Sequence, residues 1–119
     1  MILIGYEKCD TCRKARKWLA EQGMSYDWRS IKEEAPSAAE LKDWQKKSAL
    51  PWKKFFNTSG QLYRSLQIKE RLTSLSEEEI LSLLNGEGML VKRPILIDGE
   101  TVLVGFRPEE WAQRLKKPE

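Results

Sequence analysis

The chain lacks histidine altogether and has only two cysteines among its 119 residues. Without histidine, no imidazole can serve as a general base or bind a metal. Two cysteines alone cannot complete the four-ligand Cys/His site of structural zinc proteins. The sequence therefore excludes histidine-dependent catalysis and a Cys/His zinc centre within one chain.

Long apolar runs and a strong charge imbalance are also missing. No segment approaches the ~20 apolar residues needed to span a membrane, and the N-terminus lacks the features of a signal peptide. The 21 basic and 18 acidic residues give a net charge of +3, and no basic stripe interleaved with aromatic residues favours nucleic-acid binding. We therefore expect a cytoplasmic protein with no membrane attachment and no direct binding of nucleic acid.

The length and composition indicate one folded domain. Apolar residues make up 40% of the chain and charged residues 33%, which is typical of a compact domain with a solvated surface. A chain of this length can bury a real hydrophobic core. We expect a single domain over residues 1–119.

Both cysteines fall in one motif, Cys9-Asp10-Thr11-Cys12, between an apolar run and a basic helical stretch. A cysteine at a helix N-terminus meets free backbone N–H groups and the positive end of the helix dipole, which stabilise a thiolate. The pattern predicts a redox dithiol, with Arg13 and Lys14 adding positive charge next to Cys9. Two alternatives stay open from the residues alone, namely two unrelated free cysteines and a carrier that binds Cu(I) through two thiolates.

The first third of the chain reads as a strand, a helix and a second strand. We predict strands at 2–6 and 26–31 and a helix at 11–22 that ends at Gly23. Because these elements lack hairpin spacing, they indicate a parallel β-α-β unit.

A helical insertion follows, over residues 35–88. Ser37 and Glu40 form a predicted capping box, and Ser76 and Glu79 form another. Pro51 is expected at the first turn of a short helix between them.

The last third predicts two strands and a closing helix. Residues 89–91 read as a β segment that leads through Arg93-Pro94 into a strand, and Asp98-Gly99 is a strong hairpin turn signal. Pro108 is expected to open the final helix, with Trp111 and Leu115 on its inner face. The order predicts an α/β fold with a thioredoxin-like, glutaredoxin-type β-α-β…β-β-α core. In that fold a cis proline lies opposite the dithiol, and we expect Pro94 to be this residue.

Four motifs together resemble the ArsC/Spx family, which contains glutaredoxin-coupled arsenate reductases, the redox-sensing regulator Spx and uncharacterised relatives. The resemblance covers nearly the whole chain, and the motifs stand in the family's order. They are Cys9-Asp10-Thr11-Cys12-Arg13-Lys14, Asn57-Thr58-Ser59-Gly60 with Tyr63-Arg64, Lys92-Arg93-Pro94-Ile95 and Gly105-Phe106-Arg107.

The resemblance implies roles for individual residues. Cys9 matches the family's nucleophilic cysteine, while Arg93 and Arg107 match two arginines that hold an oxyanion in the arsenate reductases. A guanidinium suits that task because it binds an oxyanion bidentately and lowers the pKa of a nearby thiol. The substrate-binding residues implied here also include the backbone around Pro94.

The chain also departs from both named branches of the family. Asn57 stands where the arsenate reductases carry a third arginine, and Cys12 stands where they usually carry serine. Cys12 would act as an internal resolving thiol, as in Spx, but Pro51 stands at the position that matches the polymerase-contacting glycine of Spx. The similarity to each branch is therefore incomplete.

These expectations favour a thiol–disulfide oxidoreductase of arsenate-reductase type. Its substrate would be a small oxyanion or a disulfide, and its partner a thiol reductase protein. We expect no bound cofactor and an external reductant, either glutathione with glutaredoxin or thioredoxin. The alternative is an Spx-like redox sensor that binds a protein such as RNA polymerase.

Overall fold

The computed structural model describes residues 1–115, which contain four strands and six α-helices. The strands are β1 (Ile2–Gly5), β2 (Asp27–Ser30), β3 (Ile95–Asp98) and β4 (Thr101–Val104). The helices are α1 (Asp10–Glu21), α2 (Ala38–Ser48), α3 (Gln61–Ser65), α4 (Ile68–Arg71), α5 (Glu77–Gly86) and α6 (Pro108–Arg114). Short 3₁₀ turns occupy Trp52–Phe55, Leu72–Ser74 and Gly88–Leu90.

Two compact units divide the chain. The first combines Met1–Ser30 with the described residues from Arg93 onward, and the second is Ile31–Lys92. The first unit contains all four strands with α1 and α6, and the second contains α2 to α5.

The sheet of the first unit has the strand order β2-β1-β3-β4. β1 and β2 pair in parallel through the α1 crossover, as the sequence predicted, whereas β1–β3 and β3–β4 are antiparallel. α1 ends where Gly23 adopts a φ of +70°, a conformation that glycine reaches at no steric cost.

One face of this sheet carries the core that holds α1 and α6. Its buried residues come from the strands β1, β3 and β4, from α1 and the turn after it, and from α6 and the residue that follows it. They are Leu3, Ala15, Leu19, Met24, Leu96, Leu103, Trp111 and Leu115. Trp111 and Leu115 thus lie on the inner side of the final helix, as predicted, and that helix begins at Pro108.

The second unit is helical, and both predicted capping boxes are present. The Ser37 hydroxyl accepts a hydrogen bond from the Glu40 N–H (3.1 Å), and the Glu40 carboxylate accepts one from the Ser37 N–H (3.0 Å). Ser76 and Glu79 repeat the arrangement at 3.2 and 3.0 Å. These bonds satisfy backbone N–H groups that the first helical turn leaves unpaired.

Three local predictions need correction. Residues 88–90 form a 3₁₀ turn rather than a strand, and only Val91 makes a single bridge, to Phe56. The hairpin turn lies one residue later than predicted, because Asp98 pairs with Thr101. Pro51 precedes a 3₁₀ turn and does not open an α-helix.

Membrane insertion through a helix finds no support in residues 1–115. None of the helices there combines the length and the apolar character that crossing a bilayer requires.

Candidate redox site

Cys9 is the residue that directly precedes the first turn of α1. Its carbonyl accepts the first helical hydrogen bond, from the Arg13 N–H (3.0 Å), and its own N–H donates to the Tyr6 carbonyl (3.1 Å). The extended backbone of Cys9 (φ −91°, ψ 120°) is typical of a helix-capping position. The half-buried thiol therefore lies beside the N–H groups that a helix leaves free at its start.

Cys12 lies one turn further along the same helix and has no exposed surface. Burial is the largest factor that raises the pKa of its thiol, to about 12. The adjacent Cys9 sulfur raises it further, while the Tyr6 N–H opposes the rise. Cys12 is thus the more buried cysteine, and it stays protonated at neutral pH.

The pKa of Cys9 shifts in the opposite direction. Partial burial raises it, but the backbone N–H and thiol of Cys12 and the guanidinium of Arg93 together outweigh that effect, so the pKa is lowered. Each of these three groups stabilises negative charge on the Cys9 sulfur. A thiolate at Cys9 beside a neutral thiol at Cys12 is the arrangement that thiol–disulfide exchange requires.

The backbone around Pro94 brings a positive charge to this thiolate. The Arg93–Pro94 peptide bond is cis, as predicted, while the place of Pro94 opposite the dithiol stays a prediction. Pro94 is buried, and its carbonyl accepts a hydrogen bond from the Gly105 N–H (2.8 Å). The guanidinium of Arg93 lies 5.7 Å from the ring centroid of Tyr6, the residue whose carbonyl accepts the Cys9 N–H.

Arg107 is exposed and precedes the first turn of α6. Its carbonyl accepts a hydrogen bond from the Trp111 N–H (2.9 Å), so the backbone at this position is fixed by the helix. Its role in binding an oxyanion stays a prediction.

Arg13 and Lys14, which the sequence predicts to add positive charge next to Cys9, are both exposed. The Arg13 guanidinium donates to the Asp10 carboxylate (3.0 Å) and to the Glu7 carbonyl (3.4 Å). Arg93 is a cation that lowers the pKa of Cys9, as expected of a guanidinium near a thiol. The contribution of Arg13 and Lys14 to the thiolate stays a prediction.

Asn57 belongs to the second unit and is half-buried there. Its N–H donates to the Leu90 carbonyl (2.7 Å), and its carbonyl accepts from the Gly60 N–H (3.0 Å). A Cβ on Gly60 would approach the Asn57 side-chain nitrogen to 2.8 Å, so a larger residue at position 60 would displace that side chain. The contribution of Asn57 to substrate binding stays a prediction.

Sequence reasoning missed several residues around the dithiol. Tyr6 contributes backbone groups to both cysteines, and the Trp28 indole N–H donates to the Glu7 carboxylate (3.3 Å). The one available signal was Gly5, a glycine in an otherwise apolar strand, which often marks a close approach by another group.

A metal centre has little basis in the described part of the chain. Among residues 1–115, no three side chains of the types that usually bind metals (His, Cys, Asp or Glu) come together in a possible metal site.

Comparison with known proteins identifies relatives along nearly the whole chain. A model of the ArsC family matches residues 4–114. The uncharacterised protein YusI of Bacillus subtilis is 52% identical over 108 residues, which cover 91% of this chain and 92% of YusI. The global transcriptional regulator Spx of Listeria monocytogenes is 30% identical over 86% of this chain and 76% of Spx.

Solved structures have the same fold. An ArsC-family-related protein from Bacteroides fragilis superposes with a TM-score of 0.89 at 46% identity, over 94% of this chain and 96% of that one. A possible arsenate reductase from Streptococcus mutans gives a TM-score of 0.82 at 42% identity, over 89% and 90% of the two chains. The predicted α/β, thioredoxin-like fold class is therefore confirmed.

Proposed function

The chain belongs to the ArsC family, and from this premise we propose that it is a cytoplasmic thiol–disulfide oxidoreductase with Cys9 as nucleophile and Cys12 as resolving thiol. The observation that carries the proposal is the opposite shift of the two pKa values within one helical turn. Cys9 is ionised more readily than an ordinary cysteine, and Cys12 much less readily.

The first step is attack of the Cys9 thiolate on a disulfide, R–S–S–R. The substrate S–S bond breaks, one RS⁻ leaves, and Cys9 is joined to the other sulfur as a mixed disulfide. Arg93 assists because its guanidinium stabilises the thiolate before attack.

The second step uses the buried thiol. Once Cys9 carries no charge, Cys12 loses its proton to the departing RS⁻ or to water. Its sulfur then attacks the Cys9 sulfur, displaces the second RS⁻ and leaves a Cys9–Cys12 disulfide. The dithiol has given two electrons to the substrate, and an external thiol, from glutathione with glutaredoxin or from thioredoxin, restores it.

An oxyanion is the alternative substrate within the same chemistry. Arg93 and Arg107 would hold it in front of Cys9. Two electrons and two protons from the dithiol would reduce arsenate to arsenite, with one arsenate oxygen leaving as water and a Cys9–Cys12 disulfide left behind. Asparagine at position 57 donates hydrogen bonds but adds no charge, so we propose disulfides as the preferred substrates and arsenate as a poor one.

Trapping the mixed disulfide tests the proposal. Cys12→Ser protein treated with a glutathionylated peptide should accumulate a covalent adduct at Cys9, visible by mass spectrometry. Wild-type protein should instead pass to the Cys9–Cys12 disulfide, and Cys9→Ser should form neither product. Turnover of this peptide and of arsenate should be measured side by side, with glutaredoxin and thioredoxin systems supplied separately. Absence of an adduct in Cys12→Ser would refute the role of Cys9.

A redox regulator is the second candidate, supported by the similarity to Spx together with a dithiol in one motif. Such a protein would bind a partner such as RNA polymerase in only one oxidation state. Affinity capture with the reduced and the oxidised chain distinguishes the two functions, because an enzyme does not require state-dependent capture of the polymerase. Pro51, at the position of the polymerase-contacting glycine of Spx, argues against this candidate.

A further inference from the structure

Gly5 leaves a space that the Trp28 indole and the Cys12 thiol share. A Cβ placed on Gly5 would lie 2.8 Å from the Cys12 sulfur and 2.9 Å from Cη2 of Trp28. Both groups therefore border the volume that a side chain at position 5 would occupy. The register of the parallel strands explains this, since Trp28 pairs with Leu3 and Gly5 pairs with Ser30. Trp28 and Gly5 consequently lie on the sheet face that α1 covers.

Two neighbouring side chains, Glu7 and Arg16, hold the indole in this place. Its N–H donates to the Glu7 carboxylate at 3.3 Å, and the guanidinium carbon of Arg16 lies 4.4 Å from the ring centroid. The same guanidinium donates to the Tyr26 hydroxyl at 3.0 Å. The pKa of Glu7 is lowered, first by its own backbone N–H and then by the indole N–H, so its carboxylate stays charged. The ring of Trp28 is thus fixed at its edge and across its face.

We propose that Trp28 is a positioning residue of the dithiol, whose indole closes the space beside Gly5 and keeps water from the Cys12 thiol, so that Cys12 stays protonated while Cys9 attacks. The proposal rests on the redox function argued above. In this proposal Trp28, a residue outside the Cys9–Cys12 motif, helps to decide which thiol reacts first.

The physical reason for this order lies in the burial of Cys12. A neutral Cys12 donates its S–H to the Cys9 thiolate, and burial is the largest cause that keeps it neutral. Two adjacent thiolates would instead repel each other. Cys9, Arg93 and the Tyr6 N–H are the groups that act on Cys12 from the elements around it. Once Cys9 enters a mixed disulfide its charge disappears, so Cys12 can then lose its proton.

Alkylation of Cys12 in a Cys9→Ser background tests the proposal without requiring turnover. Trp28→Ala should raise the rate of iodoacetamide labelling at pH 8 at least tenfold. It should also move the midpoint of the rate–pH profile from the value raised by burial toward the ~8.5 of a free cysteine. Trp18→Ala is the matched control, because Trp18 is also half-buried in the first unit but packs against Phe106 and Trp111. Its loss should leave the Cys12 midpoint unchanged.

Two results would overturn the proposal. One is an unchanged Cys12 midpoint in folded Trp28→Ala protein, and the other is an equal shift in Trp18→Ala, which would indicate general loosening. If Trp28→Ala does not fold, Glu7→Ala and Arg16→Ala can be used instead. Each keeps the indole but removes one of the side chains that fix its position. They should then raise the labelling rate severalfold, and no increase in either variant would equally refute the proposal. The trapping experiment with Cys12→Ser tests the redox function separately. A failure of the redox proposal can therefore be distinguished from a failure of the proposal for Trp28.

Discussion

The guanidinium of Arg93 stabilises the thiolate of Cys9, although the two residues lie far apart in the sequence. Pairing of β1 with β3 brings them together, because Cys9 follows β1 after a short loop and Arg93 precedes β3. A cation that acts on the nucleophile therefore comes from the strand partner.

Replacing Arg93 should weaken the nucleophile. In Arg93→Gln we expect the pKa of Cys9 to rise and its alkylation at pH 7 to slow, because a charged hydrogen-bond donor is lost. Rates measured from pH 5 to 10 give the midpoint. Arg13→Gln is the control, since Arg13 bonds to Asp10 and should leave the midpoint unchanged. If Arg13→Gln shifts the Cys9 midpoint and Arg93→Gln does not, Arg13 is the cation that stabilises the thiolate.

A methyl group at position 5 should destabilise the fold and disturb the dithiol. Gly5→Ala places a Cβ within 3 Å of Cys12 and Trp28, and overpacking of this kind costs ~1–3 kcal/mol of unfolding free energy. Gly86→Ala is the matched control, because its Cβ would meet no atom within 4 Å. Urea denaturation of both variants measures the difference, and equal midpoints would show that the contact at Gly5 relaxes freely.

The reduced protein should lose stability at alkaline pH because of Cys12. Its folded pKa is raised from 9.0 to about 12, so above pH 9 the unfolded chain releases this proton while the folded chain retains it. The contribution is fully present below pH 9 and is lost as the pH rises toward 12. Denaturant midpoints of reduced wild-type and Cys12→Ser protein from pH 8 to 11 should show a smaller alkaline loss in the variant. Parallel curves would contradict the raised pKa.

Introducing an arginine at position 57 should improve arsenate reduction. A hydrogen bond to a charged group contributes ~1.5–3 kcal/mol, which corresponds to roughly a tenfold to hundredfold gain in rate or affinity. We therefore expect Asn57→Arg to raise arsenate turnover by this order while Cys9–Cys12 disulfide formation stays largely unchanged. Asn57→Gln separates charge from side-chain length. Efficient arsenate turnover by the wild-type chain, with no gain in Asn57→Arg, would refute this interpretation of Asn57.

The local features of the fold were readable from the sequence. The capping boxes at Ser37 and Ser76, the helix stop at Gly23 and the start of α6 at Pro108 all lie where predicted. Each depends on hydrogen bonds or backbone angles within a few residues, so the neighbouring sequence contains the information. The predicted β segment at 89–91 was wrong because the neighbouring sequence does not decide its conformation there. An apolar run of that length fits a strand and a 3₁₀ turn equally well.

The sequence by itself determined that Cys9 and Cys12 form a dithiol at a helix N-terminus, because the motif and its flanks specify that arrangement locally. Only the tertiary structure decided which groups set the pKa values of the two thiols apart. Burial raises one pKa, and Arg93 helps to lower the other. The indole of Trp28 and the buried thiol both border the space at Gly5, because the register of β1 and β2 places Trp28 on that face. Desolvation and charge depend on which distant groups the folded chain brings within a few ångströms, and no local pattern contains those distances.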